Sequence, residues 1–343
     1  MGAALALAER GRGLTAPNPC VGSIIIKDGR VVGRGWTQPG GRPHAEAMAL
    51  AEAGDRAHGA TVYTTLEPCA HVSPRGPACA DLLVAAGVAR AVAALRDPDP
   101  RTDGAGLTRL SDAGIATTTG VREREARRSM AGFLCRRLHG RPLVTLKLAT
   151  SLDGAIARAD GESQWITGPE ARAHAHLERA RHEAILVGRG TWEQDRPRLD
   201  VRLPGLEARS PRRLVLTTHP QLVAPANAGA AGEVGRDDHA APAFAGATNG
   251  GWEMIPSPTA IAALDGVDHL LVEGGAGAAS AFLAADLVDR LLLYRAPILI
   301  GGGRPAVGDI GPTGLADAHG RWRLLDARQL GSDRLEVYER VRG

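Results

Sequence analysis

Cysteine is scarce in this chain: four among 343 residues, at positions 20, 69, 79 and 135. That scarcity excludes a disulfide-stapled secreted scaffold and fits a reducing, cytoplasmic setting. No run approaches 18 consecutive apolar residues, so the sequence offers no membrane-spanning helix. The apolar stretch within residues 1–14 has no basic leading segment and no cleavage site. Glu9 and Arg10 end it, so it reads as a helix and not as a secretory signal. A strong charge of either sign is also missing. The formal net charge of +3 is too small to argue for a nucleic-acid partner, and the partner expected is a small molecule. Lysine is almost absent. Arginine supplies nearly all the positive charge, so Lys27 and Lys147 stand out, and Lys147 hints at a place where a compact ammonium charge matters.

What is present is a pattern of metal ligands. His44-Ala45-Glu46 is followed by Pro68-Cys69 and then by Cys79. One imidazole and two thiolates leave a tetrahedral position on Zn²⁺ open, as in catalytic sites, whereas structural sites are closed by four ligands. Water in that position has its pKa lowered to about 7. Zinc deaminases of nucleobases carry H-x-E…P-C-x-x-C, with the Glu moving protons and not ligating. This chain has that order, with nine residues between the cysteines. Pro43 predicts a helix that opens there with Pro at its first position, and Pro77 predicts a second helix with Cys79 in its opening turn. Residues i and i+2 share no helix face, so His44 and Glu46 can serve one centre only if it lies off the helix end. Two alternatives stand beside this reading: unrelated core residues, or a structural site closed by His71 as fourth ligand.

The length predicts two domains, at residues 1–140 and 141–343. Asp28-Gly29 between β-runs at 21–27 and 30–35 signals a hairpin. Helices and strands then alternate (strands at 60–64, 89–95 and 115–119), predicting a layered α/β domain closed by one helix over 123–138 carrying Phe133, Leu134 and Leu138. In the second half, 144–148, 184–187 and 269–272 read as strands. Thr167-Gly168-Pro169-Glu170 reads as a capping box opening a helix to about 182. The stretch 221–258, rich in Ala, Gly and Pro, reads as loops with at most short elements. Glu273-Gly274-Gly275 leads a strand into a helix over 280–284, and glycines at such a turn let backbone N–H groups approach phosphate. Leu299-Ile300-Gly301-Gly302-Gly303 is a second glycine turn of the same ambiguity.

Pro17-Asn18-Pro19-Cys20-Val21-Gly22, His44-Ala45-Glu46, Leu66-Glu67-Pro68-Cys69-Ala70-His71, Ser151-Leu152-Asp153-Gly154, residues 161–167 and Val272-Glu273-Gly274-Gly275 together resemble the bacterial bifunctional riboflavin-biosynthesis deaminase/reductases. The resemblance runs through both halves in order. It implies an α/β chain with a cytidine-deaminase-like three-layer domain followed by a dihydrofolate-reductase-like domain, with Zn²⁺ and NADPH as cofactors and a homo-oligomer as the assembly. It implies hydrolytic deamination of 2,5-diamino-6-(5-phosphoribosylamino)pyrimidin-4-one, then reduction of its ribosyl group to ribityl. His44, Cys69 and Cys79 would hold the metal and Glu46 would carry the proton. Asn18, His71 and Arg75 would contact the deaminase substrate. In the second domain Ala149, Trp165, Thr191, Asp195, Gly275, Ala276, Gly277, Ala278, Ala279, Ser280 and Ala281 would contact the cofactor. Lys147, Ser163, Arg179, Leu199, Arg202 and Glu273 would contact the reductase substrate. The chain departs from the family pattern at Arg196, at Thr217-Thr218, at Ala276-Gly277-Ala278 and by one extra residue between Cys69 and Cys79. A zinc deaminase joined to a non-catalytic nucleotide-binding domain is the competing reading.

Overall fold

The computed structural model describes residues 1–71, 73–219, 251–311 and 314–342. The chain divides into two compact units, Met1–Gly140 and Arg141–Gly343. The first runs α1 (Gly2–Ala8), β1 (Gly22–Lys27), β2 (Arg30–Trp36), α2 (Ala45–Ala53), β3 (Thr61–Thr64), α3 (Cys79–Ala85), β4 (Arg90–Ala93), α4 (Ala105–Asp112), β5 (Ala116–Thr118), α5 (Glu123–Ser129) and α6 (Ala131–His139). Its five strands lie in the order β2-β1-β3-β4-β5. The β1–β2 hairpin turns at Asp28 and Gly29, both at positive φ. β3, β4 and β5 are mutually parallel.

Glycine sets how closely the helices approach this sheet. A Cβ on Gly22 would stand 1.9 Å from the Ala4 carbonyl of α1, and one on Gly35 would stand 2.0 Å from the Ala45 carbonyl of α2. Gly22 and Gly35 are neighbours in β1 and β2 with opposite facings, so helices cover both faces and the unit has three layers. Ile25, Val62, Leu83 and Leu110 fill one interface; Leu5, Val21, Met130 and Phe133 fill the other.

The second unit contains β6 (Leu143–Thr150), β7 (Ala155–Ala157), α7 (Pro169–Arg179), β8 (Ala184–Gly188), α8 (Arg189–Asp195), β9 (Arg212–Leu216), β10 (Trp252–Ile255), β11 (His269–Val272), α9 (Ala276–Ala284), β12 (Val288–Arg295), β13 (Arg304–Pro305), α10 (Leu315–Ala318), β14 (Trp322–Leu330) and β15 (Asp333–Arg340). Eight of these strands form one sheet, β10-β9-β8-β11-β6-β12-β15-β14. It is parallel from β10 through β12 and antiparallel at the β15–β14 edge. On β11, Leu270 and Val272 pack with Phe282 of α9, while Leu271 packs with Ile185 and Val187 on the opposite face. Burial on both faces explains why these strands read as continuous apolar runs.

Four local expectations need correction. Pro43 lies outside α2, because His44 is the N-cap in extended conformation. The helix expected over 123–138 is two helices, broken at the fully buried Met130 (φ −106°, ψ 22°), and Leu138 lies 60% exposed, outside the core. Thr167 does not cap α7. Gly168 is the N-cap, its N–H donates to Asp333 Oδ2 of β15 at 2.6 Å, and the helix ends at Arg179. A distant carboxylate has taken the place of the local hydroxyl. Finally, α9 starts at Ala276, so Gly275 is its cap and the glycine turn runs directly into the helix. Residues 221–250 of the expected loop region lie outside the described residues, and 252–255 form the short strand β10.

Candidate functional sites

His44 caps α2, Glu46 occupies its first turn, and Cys79 is the first residue of α3. Cys69 follows β3 through Leu66-Glu67-Pro68, and the Ala80 N–H donates to its carbonyl at 3.1 Å, tying the loop to the start of α3. His44 Nδ1 lies 3.3 Å from Cys79 Sγ and 3.5 Å from Cys69 Sγ. The three ligand atoms lie within 4.8 Å of one another. Zn–S and Zn–N bonds of about 2.3 and 2.0 Å at tetrahedral angles require N···S edges of roughly 3.5 Å, so the cluster fits zinc. His71 stands outside it, its Nδ1 3.5 Å from Thr102 Oγ1, which removes the proposed closing ligand.

Glu46 is 3% exposed and accepts from Thr64 Oγ1 at 3.1 Å, which fixes the carboxylate without neutralising it. Burial raises its pKa, with the nearby His44 opposing and Cys69 adding to the rise. The Cys79 S–H hydrogen bond pulls Cys69 down, and the same bond with burial pushes Cys79 up. Two helix N-termini favour anionic sulfur here. Asn18 Nδ2 donates to the Gly41 carbonyl at 2.8 Å and lies 3.2 Å from His44 Nε2, at the edge of a cavity also lined by Glu46 and His71. Arg75 donates to the Gly40 carbonyl at 2.7 Å and is not among the residues lining that cavity. Cys20 and Cys135 are buried thiols outside the cluster, and Cys20 Sγ donates to the Ser129 carbonyl at 3.4 Å.

Sequence reasoning assigned no role to Glu67, although it adjoins Pro68-Cys69. Its carboxylate accepts four backbone N–H groups: Asp97 at 3.1 Å and Gly104 at 3.0 Å on Oε2, Gly106 at 2.9 Å and Leu107 at 3.2 Å on Oε1. Two of those donors open α4, where a carboxylate is favoured by the unsatisfied N–H groups. A Cβ on Gly106 would stand 1.9 Å from the Pro68 carbonyl, so that residue must be glycine for the loop to close. The clamp holds residues 97–107 against the metal cavity, where Asp97, Asp99 and Arg101 join the lining. Burial pushes the Asp97 carboxyl up to about 6, opposed by the Asp99 N–H it accepts and reinforced by the Asp99 and Glu67 charges. Arg101, hydrogen-bonded to Asp99, holds that carboxyl well below the usual range.

In the second unit two cavities meet. One, of about 410 Å³, is lined by Ala149, Thr191, Asp195, Gly275 and Ala276 among others. The other, of about 220 Å³, is lined by Trp165, Arg172, His176, Arg179 and Arg202 among others. Lys147, Ala149, Ile156 and Ser163 line both. Arg179 and Glu273 form a bidentate pair at 2.9 and 2.7 Å. Burial would raise the Glu273 pKa, but Arg179 and then Lys147 outweigh it and hold it at about 2. Lys147 Nζ stands 5.9 Å above the Tyr294 ring. Trp165 is 64% exposed, with the Arg172 guanidinium 4.8 Å from its ring centroid. Thr191 Oγ1 accepts from the Gly275 N–H at 3.2 Å, tying α8 to the cap of α9. Gly277 is exposed and Ser280 and Ala281 half-buried, whereas Ala278 and Ala279 are buried, Ala279 within the core. Leu199 is buried among Ile185, Val187 and Trp252, leaving its backbone as the part that can meet a ligand.

A three-ligand zinc centre with a buried carboxylate in one unit, and in the other paired cavities of which the larger is lined by a glycine-capped helix start, define a zinc deaminase joined to a dinucleotide-dependent reductase. The family description for the cytidine and deoxycytidylate deaminase zinc-binding region matches residues 1–95, and that for the RibD C-terminal domain matches 142–335. The Escherichia coli (strain K12) riboflavin biosynthesis protein RibD is 40% identical over 97% of this chain and 96% of its own length. Acinetobacter baumannii RibD superposes with a TM-score of 0.84 at 34% identity, covering 99% of this chain and 98% of that one. The Thermotoga maritima diaminohydroxyphosphoribosylaminopyrimidine deaminase/5-amino-6-(5-phosphoribosylamino)uracil reductase does so at 0.83 and 30%, covering 99% and 97%. The chain belongs to the RibD family. It is a bifunctional riboflavin-biosynthesis enzyme, a zinc deaminase and an NADPH-dependent reductase, and the reading of the second domain as non-catalytic is not favoured.

Proposed function

We propose that residues 1–140 hydrolyse the 2-amino group of 2,5-diamino-6-(5-phosphoribosylamino)pyrimidin-4-one and that residues 141–343 reduce the ribosyl group of the product to ribityl. His44, Cys69 and Cys79 hold the zinc, which when bound supplies a Lewis-acid centre that acidifies water. Glu46 takes a proton from the attacking water at its carboxylate and delivers it to the departing amine, so water adds and ammonia leaves. Thr64 orients that carboxylate through its hydroxyl. Asn18 orients the pyrimidine, while His71 and Arg75 serve the phosphoribosyl end. The small-molecule chemistry fits a cytoplasmic enzyme, and among the described residues no helix is long and apolar enough to cross a membrane. A homo-oligomer is the assembly proposed.

In the second unit NADPH supplies the hydride when bound. Ala149, Trp165, Thr191, Asp195 and residues 275–281 form its groove. Ser163, Arg179, Leu199, Arg202 and Glu273 hold the substrate, with Arg202, ion-paired to Asp200 at 3.6 Å on the wall of the smaller cavity, meeting phosphate and Lys147 placed near the sugar. The observation that carries this reading is the meeting of the two cavities at Lys147, Ala149, Ile156 and Ser163, which supports contact between a nicotinamide in one and a sugar in the other. The test supplies the diaminopyrimidine nucleotide with and without NADPH and follows ammonia release and NADPH oxidation separately. Ammonia is expected in both cases, and oxidation only after deamination. No NADPH oxidation in the presence of the deaminated intermediate would overturn the assignment of the second step.

A further inference from the structure

The glycine turn at 299–303 leads the chain into β13 on the wall of the larger cavity of the second unit. Gly301 and Gly302 both have left-handed φ (60° and 59°), and a Cβ on Gly303 would stand 2.5 Å from the Ala157 carbonyl. Each glycine is therefore needed for the shape of the turn. Asp153 fixes its outer end: Oδ1 accepts from Ile300 N–H at 3.2 Å and Oδ2 from Gly301 N–H at 2.8 Å. The Leu152 N–H adds a bond to the Ile298 carbonyl at 2.8 Å. The turn then delivers β13, which pairs antiparallel with β7 and sets Arg304 opposite Ala157.

Arg304 thereby lines the 410 Å³ cavity together with Gly275 and Ala276. Its guanidinium lies over Gly161, where a Cβ would stand 3.0 Å from Nη2 and 3.3 Å from Gln194 Nε2. Four charged residues line this cavity: Lys147, Asp195, Glu273 and Arg304. Glu273 is committed to Arg179, and Lys147 contributes to holding Glu273 ionised. Among the described residues the hydrogen bond Arg304 makes is a long one, 3.5 Å from Nη2 to the Ala159 carbonyl, and none of their carboxylates lies within ion-pair distance of it. An exposed, unpaired guanidinium and a side-chain amide in the cavity that also holds the backbone N–H groups of a helix start suit a doubly charged phosphate ligand.

We propose that Arg304 binds the pyrophosphate of the dinucleotide cofactor, with Asp153 as its positioning residue. The proposal rests on the reading of this cavity as the NADPH groove. Full-length enzyme carrying Arg304→Gln or Arg304→Lys is titrated with NADPH and with NADH, following nicotinamide fluorescence at low and high salt. Arg304→Gln is expected to raise Kd for both cofactors about tenfold and to flatten the salt dependence, with Arg304→Lys recovering part of the loss. Ammonia release from the first unit should not change. If NADPH alone weakens, the guanidinium reads the 2′-phosphate and the pyrophosphate assignment is overturned. If neither weakens while wild type binds, Arg304 makes no cofactor contact. Failure of the wild type to bind NADPH would instead overturn the groove itself. Asp153→Ala should weaken binding less than Arg304→Gln and add nothing in the double variant; an additive loss would remove Asp153 from the role.

Discussion

The zinc centre and the reductase groove are built differently. His44, Glu46, Cys69 and Cys79 sit at or beside the mouths of two short helices, and hydrogen bonds within that same segment hold them. Lys147, Arg179 and Glu273 come from β6, α7 and the end of β11, and only the packing of a parallel sheet brings them together. A site of the first kind depends on local backbone geometry. A site of the second kind depends on the stability of the unit that assembles it.

The largest effect expected is on chemistry in the first unit alone. Glu46→Gln should lower deamination by about 10²–10⁴-fold, the usual contribution of a positioned proton carrier, while zinc content per chain stays at the wild-type value. Loss of zinc from this variant would mean that Glu46 supports the metal site and not proton transfer. NADPH oxidation with pre-deaminated substrate should be unaffected.

In the second unit the matching change acts through stability. Arg179→Ala strands the Glu273 carboxylate in a buried position, an arrangement that costs about 3–5 kcal/mol. Denaturant unfolding should show the loss in the transition of that unit, with zinc content unaltered. A shift below about 1 kcal/mol would show that water reaches Glu273. Glu67→Ala tests whether the first unit also depends on assembly, because it removes the acceptor of four backbone N–H groups. A loss of about 2–3 kcal/mol is expected, given the cost of leaving buried donors unsatisfied, together with weaker deamination. Unchanged deamination would leave the 97–107 loop with no part in the site.

The smallest effect is a pH dependence. Glu273 sits at about 2 in the folded protein against an ordinary 4.5, so its stabilisation is fully present above about 4.5. It is lost as pH falls from 4.5 toward 2. Stability measured across that window should fall less steeply in Glu273→Gln than in wild type, and equal slopes would reject the pair as the source.

Much of the first site was legible because its ligands announce themselves by residue type and spacing. Cys79 in an opening helical turn follows from Pro77-Ala78 before an apolar run, and the structure has it there. Pro43 gave the right place for the helix mouth but not its own position, since a proline can precede a cap as well as follow it. Glu67 was missed because its four partners lie 30 to 40 residues away, beyond any local pattern. The same distance hid Asp333 at the start of α7, where Thr167 offered a plausible local substitute. Arg179 finds its partner in Glu273, 94 residues on, a pairing no local pattern reveals. Arg304 drew no notice in the sequence, and the glycines before it suggested phosphate contact when their geometry serves to place its side chain.

By itself the sequence determined the chemistry available: which atoms can ligate, which carboxylate is spare, and which strands are buried on both faces. Side-chain identity and short-range periodicity carry that information in full. Only the tertiary structure decided which charges neutralise each other, which loop a carboxylate clamps, and which guanidinium is left to meet a ligand. Those outcomes depend on contacts between residues tens of positions apart, and a charge's role is set by what packs beside it.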